Sequence, residues 1–250
     1  MQQIFLNHEV QLEEVVTVTG ADARHLTTVL RMRPGEKLRI STAEGGNFLG
    51  KILSFDQEGV ELQILQEVPS TELREKIYLF QALPKGDRME TVIEKAVELG
   101  VYEIIPVEMK HCVVRLEGKK KEAKVKRYQA IAEAAAKQAK RSRIPQIHSI
   151  LSYAEAVAYA EELDLNLVPY ECKRGMEQTM EAIEKIKRPE VERIGIFIGP
   201  EGGFAGEEIG MVEEKMEVIS LGSRILRTDT AAITALSLVM LTCETKEGNR

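Results

Sequence analysis

The sequence predicts an α/β protein in two parts: a small β-barrel with one helix, then a larger domain whose mostly parallel sheet lies between helices. Three observations predict it. Short extended runs parted by turn residues fill about the first seventy positions. From Lys76 onward strand-like and helix-like segments alternate, as they do where helices cross between parallel strands. Hydrophobic residues make up 44% of the 250 and charged ones 30%, a globular balance that excludes a disordered chain. At roughly 100–200 residues per domain the length holds one large domain or two modest ones. The boundaries are read at 1–70 and 74–247, with Pro69-Ser70-Thr71 as a linker. With no Trp, six Tyr and six Phe, the core must come mainly from Leu, Ile, Val, Ala and Met.

In the first domain the extended runs are Ile4–Leu6, Val15–Val18, Lys37–Thr42, Phe48–Phe55 and Val60–Gln66. Lys37-Leu-Arg-Ile-Ser alternates polar and apolar residues, the mark of a half-buried strand. One helix intervenes, with Asp22 as its cap, Leu26, Val29 and Leu30 as its apolar stripe, and Pro34-Gly35 as its stop. In the second domain Ile77–Leu83 reads as a strand and Gly86–Leu99 as a helix with Met89, Val92, Ile93, Ala96 and Val97 on one face. Val101–Val107 is a near-continuous apolar strand of the kind parallel sheets bury. A long helix over about Glu122–Lys140 follows. Further strands fall at Leu165–Pro169, Ile194–Ile198 and Val218–Leu221, and the last helix begins near Thr230.

The N-terminus MQQIFLNHEV has no basic stretch followed by an apolar one, so no secretory signal is expected. The most apolar segment, Ala231–Leu241, falls short of the ~20 residues that span a bilayer. Cys112, Cys172 and Cys243 are too scattered for a disulfide framework, and His8, His25, His111 and His148 show no metal-ligand spacing. The expectation is a cytoplasmic protein with no membrane segment and no metal.

A net charge of −6 argues against a nucleic-acid partner until it is divided along the chain. Between Lys110 and Arg143 twelve basic residues face only Glu117, Glu122 and Glu133, so this segment carries +9 and the rest −15. The first domain adds Arg24, Arg31, Arg33, Lys37 and Arg39 against Glu36. The Lys119–Lys126 run suits a solvated helix face equally well. Lys137-Gln-Ala-Lys-Arg-Ser-Arg143 suits it less, because Arg stands there beside polar residues able to bind phosphate oxygens. Two basic groups on two domains suggest a clamp for a polyanion.

Three strand ends converge on one edge of the predicted sheet. Ile196-Phe-Ile-Gly-Pro-Glu-Gly-Gly-Phe204 passes from strand to helix through Gly202 and Gly203, which permit positive φ and close approach of a ligand. It matches neither GxGxxG nor GxxxxGK[ST], so no pyrophosphate loop of either kind is supported; a plain tight turn is the alternative. Leu221-Gly222-Ser-Arg-Ile-Leu-Arg-Thr-Asp-Thr-Ala231 also leaves a strand and enters a helix, with Thr228 or Asp229 as its cap. Arg227 is charged at any working pH and suits an anion developing on a substrate. Val168-Pro169-Tyr170-Glu171 is the third strand end.

These blocks resemble the ribosomal RNA small subunit methyltransferase E family, the S-adenosylmethionine-dependent 16S rRNA uracil-N3 methyltransferases of the SPOUT superfamily. The resemblance spans essentially the whole chain. It rests on His25-Leu-Thr-Thr-Val-Leu-Arg31, Lys85-Gly-Asp-Arg-Met-Glu90, Glu94-Lys-Ala-Val-Glu-Leu-Gly-Val101 and Glu133-Ala-Ala-Ala-Lys-Gln138 with Arg141 and Pro145. Ile198-Gly-Pro-Glu-Gly-Gly203 and Arg224-Ile-Leu-Arg-Thr-Asp-Thr-Ala231 complete it. Asp229 departs from the Glu usual in the last block. The resemblance implies a PUA-like RNA-binding barrel, a SPOUT-type α/β domain whose C-terminal part forms a trefoil knot, and a homodimer acting on 16S rRNA or the small ribosomal subunit.

It also implies roles. Cofactor binding falls to Leu167, Pro169, Tyr170, Ile198, Gly199, Pro200, Glu201, Gly202, Gly203, Leu221, Gly222, Ile225, Leu226, Arg227, Thr230 and Ala231. RNA contacts fall to Arg24, His25, Arg31, Arg33, Lys85, Arg88, Arg115, Lys137, Arg141 and Arg143. Uracil N3 becomes nucleophilic only as its proton leaves and charge spreads onto O2 and O4. Arg227 is the candidate that stabilises this anion, and Glu201 or Asp229 the candidate that takes the proton. N3 lies on the Watson–Crick edge, so the base must be unpaired or flipped. Two other readings compete: a SPOUT enzyme that methylates a ribose 2′-hydroxyl, and a non-catalytic RNA-binding assembly factor whose glycine loops are only turns.

Overall fold

The computed structural model describes residues 1–56 and 59–247. The chain divides into two compact units, Met1–Glu72 with Ala136–Ile144, and Leu73–Ala135 with Pro145 onward. A single boundary drawn along the sequence gives no sign that residues 136–144 join the first unit.

The first unit's strands are β1 (Gln3–Phe5), β2 (Val15–Val18), β3 (Lys37–Ser41), β4 (Asn47–Phe55) and β5 (Val60–Glu67). They pair in the order β1-β3-β4-β5-β2, with only β1 against β3 parallel. Alternation along them sends Leu38, Ile40, Ile52, Leu62 and Ile64 fully into the core. Helix α1 (Gly20–Arg24) runs into a π-helical turn over His25–Val29. That turn overturns three details of the sequence reading. The Leu30 amide reaches back to the His25 carbonyl, so the three-to-four spacing no longer holds and Val29 is 66% exposed while Leu26 is buried. Asp22 lies inside the first turn and caps nothing; its carboxylate pairs with Lys137 at 2.9 Å. The turn ends at Leu30, before Pro34, and Arg31 takes φ 50°, the left-handed geometry that stops helices.

Segment 136–144 is sewn to this unit by polar side chains. Arg141 is buried, and its guanidinium spans both oxygens of Glu72, with Nε at 2.9 and 3.1 Å. The Ser142 amide donates to Glu72 Oε1 at 2.7 Å, Thr71 Oγ1 to the Lys140 carbonyl at 2.8 Å, and Gln3 Nε2 to the Arg141 carbonyl at 2.6 Å. The expectation that Arg141 contacts RNA meets this obstacle directly: its Nε and Nη2 already donate to Glu72.

In the second unit, β6 (Lys76–Ala82), α2 (Arg88–Glu98), β7 (Glu103–Glu108), α3 (Lys119–Ala139), β8 (Gln146–Ile147), β9 (Leu151–Ser152) and α4 (Tyr153–Ala160) come first. Then follow β10 (Leu165–Pro169), α5 (Glu177–Ile186), β11 (Arg193–Ile198), α6 (Gly206–Gly210), β12 (Glu217–Ile219) and α7 (Thr228–Glu247). Among the described residues every ladder is parallel, in the order β12-β10-β11-β6-β7-β8, with β9 also on β7. Phe80 and Phe197 stack 4.3 Å apart across the central pair β6 and β11. Both long helices start earlier than read: α3 at Lys119 and α7 at Thr228, which makes Thr228 a helical residue. No helix among the described residues is long and apolar enough to cross a membrane.

Candidate active site

Because β10, β11 and β12 are parallel neighbours, their carboxyl ends open on one edge, and the three loops leaving them line a single cavity of about 390 Å³. The sequence expectation places most of its lining. Pro169, Tyr170, Ile198, Gly199, Pro200, Glu201, Gly203, Leu221, Gly222, Ile225, Leu226, Arg227 and Ala231 all border it. Four residues do not. Leu167 is wholly buried within β10, and Gly202 turns toward His111. On α7, Thr228 and Ala231 stand one turn apart and face the cavity, so Asp229 and Thr230 between them point elsewhere. Asp229 Oδ1 is buried with no hydrogen-bond partner among the described residues.

Seven lining residues were absent from the expected sites or carried another role: Arg88, Glu171, Phe204, Ser220, Ser223, Arg224 and Thr228. Glu171, Phe204, Ser223, Arg224 and Thr228 lie within the stretches already singled out. Arg88 comes from the start of α2, far along the chain from Glu201; its block Lys85–Glu90 was expected to meet RNA, and nothing in it pointed to the glycine loop.

Each glycine of the β11 loop has its own cause. A Cβ on Gly199 would stand 3.0 Å from the Phe204 ring. Gly203 adopts φ 68°, and a Cβ there would lie 2.6 Å from Glu171 Oε1. Gly202 was expected to supply a positive φ as well, but it needs none. A Cβ on it would sit 3.0 Å from His111 Cβ, and His111 Nδ1 donates to the carbonyls of both Gly202 and Gly203 at 3.1 Å. The turn after β7 braces this loop twice more. Glu208, buried on α6, accepts the amides of Lys110 and Ala205 at 2.8 Å each. Lys110 also pairs with Glu207 at 3.0 Å. Thr228 caps nothing; its hydroxyl donates to the Gly199 carbonyl at 2.8 Å and accepts from Gln81 Nε2 at 3.0 Å, tying the start of α7 to β11 and β6.

The cavity's charges are unequal: Arg88, Arg224 and Arg227 against Glu171 and Glu201. Glu201 is claimed twice at Oε1, by the Lys85 amide at 2.9 Å and by Arg88 Nη1 at 2.5 Å. Partial burial pushes its carboxyl up, but the amides of Lys85 and Glu201 itself and the Arg88 guanidinium outweigh that and hold it below the ordinary 4.5. Arg224 and Arg227 have no side-chain hydrogen bond or ion pair among the described residues.

Of the residues expected to meet RNA, Arg24, His25, Arg31 and Arg33 are exposed on the first unit. Lys85 and Arg115 are exposed on the second, with Arg115 folded onto the Lys110 carbonyl at 3.0 Å. Lys137 is tied to Asp22, and Arg143 is half-buried.

Comparison with known proteins gives this architecture a class. A family described as an RNA methyltransferase domain matches residues 71–240, and one described as an RNA methyltransferase PUA domain matches residues 18–65. A methyltransferase from Legionella pneumophila, solved with the bound cofactor SAM, superposes with a TM-score of 0.82 at 31% identity, covering 96% of each chain. A ribosomal RNA small subunit methyltransferase E from Neisseria gonorrhoeae, bound to S-adenosyl methionine, does so with a TM-score of 0.80 at 29% identity over 95% of this chain and 96% of that one. The protein of the same name from Bacillus subtilis is 32% identical over the full length of both chains. The chain belongs to the ribosomal RNA small subunit methyltransferase E family.

Proposed function

We propose that the protein transfers a methyl group from S-adenosylmethionine to N3 of a uridine in the 16S rRNA of the small ribosomal subunit. The observation that carries the reading is the cavity itself: three loops at parallel strand ends, two of them turning through glycine, with two arginines left unpaired among the described residues beside it. Its residues fit the cofactor. Leu221, Leu226, Pro169 and Phe204 offer apolar walls for a purine, the turns at Gly199 and Gly222 offer backbone groups, and Glu171 offers a carboxylate acceptor. Bound there, S-adenosylmethionine supplies an electrophilic methyl group.

The chain's own residues do the rest. Arg227 stabilises the charge that spreads over O2 and O4 as the N3 proton leaves. Of the two carboxylates read as proton acceptors, Glu201 borders the cavity and Asp229 does not. A carboxylate held as low as Glu201 passes the proton on to water rather than keeping it. We extend the reading to a SPOUT-type knot in the C-terminal part, a homodimer, and a cytoplasmic site of action, all of which follow from the family resemblance.

The test uses purified protein, labelled S-adenosylmethionine and small-subunit rRNA or subunits. Digestion of the product must yield 3-methyluridine; a 2′-O-methylated nucleoside would move the reaction to the ribose. Arg227→Ala should cost about 10²–10³ in kcat, the scale of losing one donor to a developing oxyanion. Gly202→Val, which drives a side chain into His111, should abolish S-adenosylhomocysteine binding in calorimetry. If both variants methylate like the parent, the site is wrong.

A further inference from the structure

We propose that Arg224 holds a backbone phosphate of the RNA at the cavity mouth, beside the nucleotide whose base Arg227 receives. The inference rests on the methyl-transfer reading above. Three arginines border the cavity, and the structure divides them. Arg88 is neutralised by Glu201, while Arg224 and Arg227 carry no partner among the described residues. Gly222, at φ 104°, sets the turn that presents them; Arg224 Nη2 lies 3.9 Å from the place a Cβ on Gly222 would take, so the guanidinium folds back over this glycine.

Between the two arginines Ile225 is 87% exposed, an apolar surface flanked by cations. A nucleotide has the matching order: an anionic phosphate, the apolar face of a base, and polar oxygens on its edge. Two anion sources compete for Arg224, the phosphodiester and the cofactor's own carboxylate. Charge favours the first. S-adenosylmethionine carries one carboxylate against an ammonium and a sulfonium, so it leaves a pair of arginines uncompensated, whereas an RNA strand brings a negative charge at every nucleotide. The planar guanidinium fork also suits a phosphate bidentately.

The experiment measures binding of in-vitro-transcribed 16S rRNA across about 50–200 mM salt, with S-adenosylhomocysteine affinity measured by calorimetry in parallel. Arg224→Ala should weaken RNA binding about tenfold at the low-salt end. It should also make the slope of log K against log salt shallower by about 0.7, the share of one contact to single-stranded RNA, with the S-adenosylhomocysteine affinity unchanged. Arg224→Lys should keep the slope, since the charge remains. Weaker S-adenosylhomocysteine binding with an unchanged RNA slope would assign Arg224 to the cofactor carboxylate and overturn the proposal, as would an unchanged slope and RNA affinity. If the parent protein itself binds no S-adenosylhomocysteine, the methyl-transfer reading is what fails.

Discussion

Glu201 shows how a carboxylate beside a cavity is given its task. Burial alone would raise its pKa, and the Lys85 and Glu201 amides with Arg88 bring it below 4.5. A group depressed in this way stays ionised from neutral pH down past 4.5, and its pairing with Arg88 is lost only as pH falls through the lowered value. A carbon-detected titration of glutamate side chains should therefore find the Glu201 midpoint below 4.5. In Arg88→Ala it should climb, because burial remains and a stabilising cation is gone. An unmoved midpoint would show that Arg88 does not set the charge at this edge. The sequence displayed both residues, 113 positions apart, but nothing in local pattern joins a helix start to a glycine loop.

At the scale of elements, the parallel strands and the loops at their ends were legible because their signals are local. Apolar runs ending in glycine mark the termini of β11 and β12, and the run Leu165–Pro169 ending in proline marks that of β10. The braces were not, because each spans some ninety residues of chain: His111 on Gly202 and Gly203, Glu208 on Lys110. The same separation explains why Gly202 was credited to backbone conformation when the close approach of His111 Cβ is what crowds a side chain there. If His111 fixes the loop, His111→Phe keeps a ring but loses the donor. It should raise the KM for S-adenosylmethionine and the Kd for S-adenosylhomocysteine about tenfold, the scale of one lost hydrogen bond, with the KM for RNA unchanged. His111→Asn, which offers an amide donor near the same place, should recover most of that affinity. Equal binding by all three proteins would remove His111 from the positioning of the loop.

For the whole molecule the question is which part of a chain of net charge −6 is left free to meet a polyanion, and the ion pairs bear on the two basic runs differently. The Arg-rich run 137–143 looked the better phosphate binder, yet Arg141 is buried on Glu72 and Lys137 pairs with Asp22. Partners so distant in sequence could not be read from composition. The Lys119–Lys126 run, equally readable as a solvated face, keeps Lys119, Lys120 and Lys126 exposed and without an ion pair among the described residues. Substituting all three by Glu should make the salt slope of RNA binding shallower by about 2–3, close to one contact per lysine. The fold should not suffer, since Lys119 and Lys120 open α3, where negative charge favours the helix. Arg141→Ala should do the opposite, costing about 3 kcal/mol in denaturant unfolding by leaving Glu72 without its cation, while the salt slope stays near the parent's. A slope that drops with Arg141→Ala and holds in the triple variant would restore the sequence's order, and the acidic average would then conceal a different RNA-binding surface.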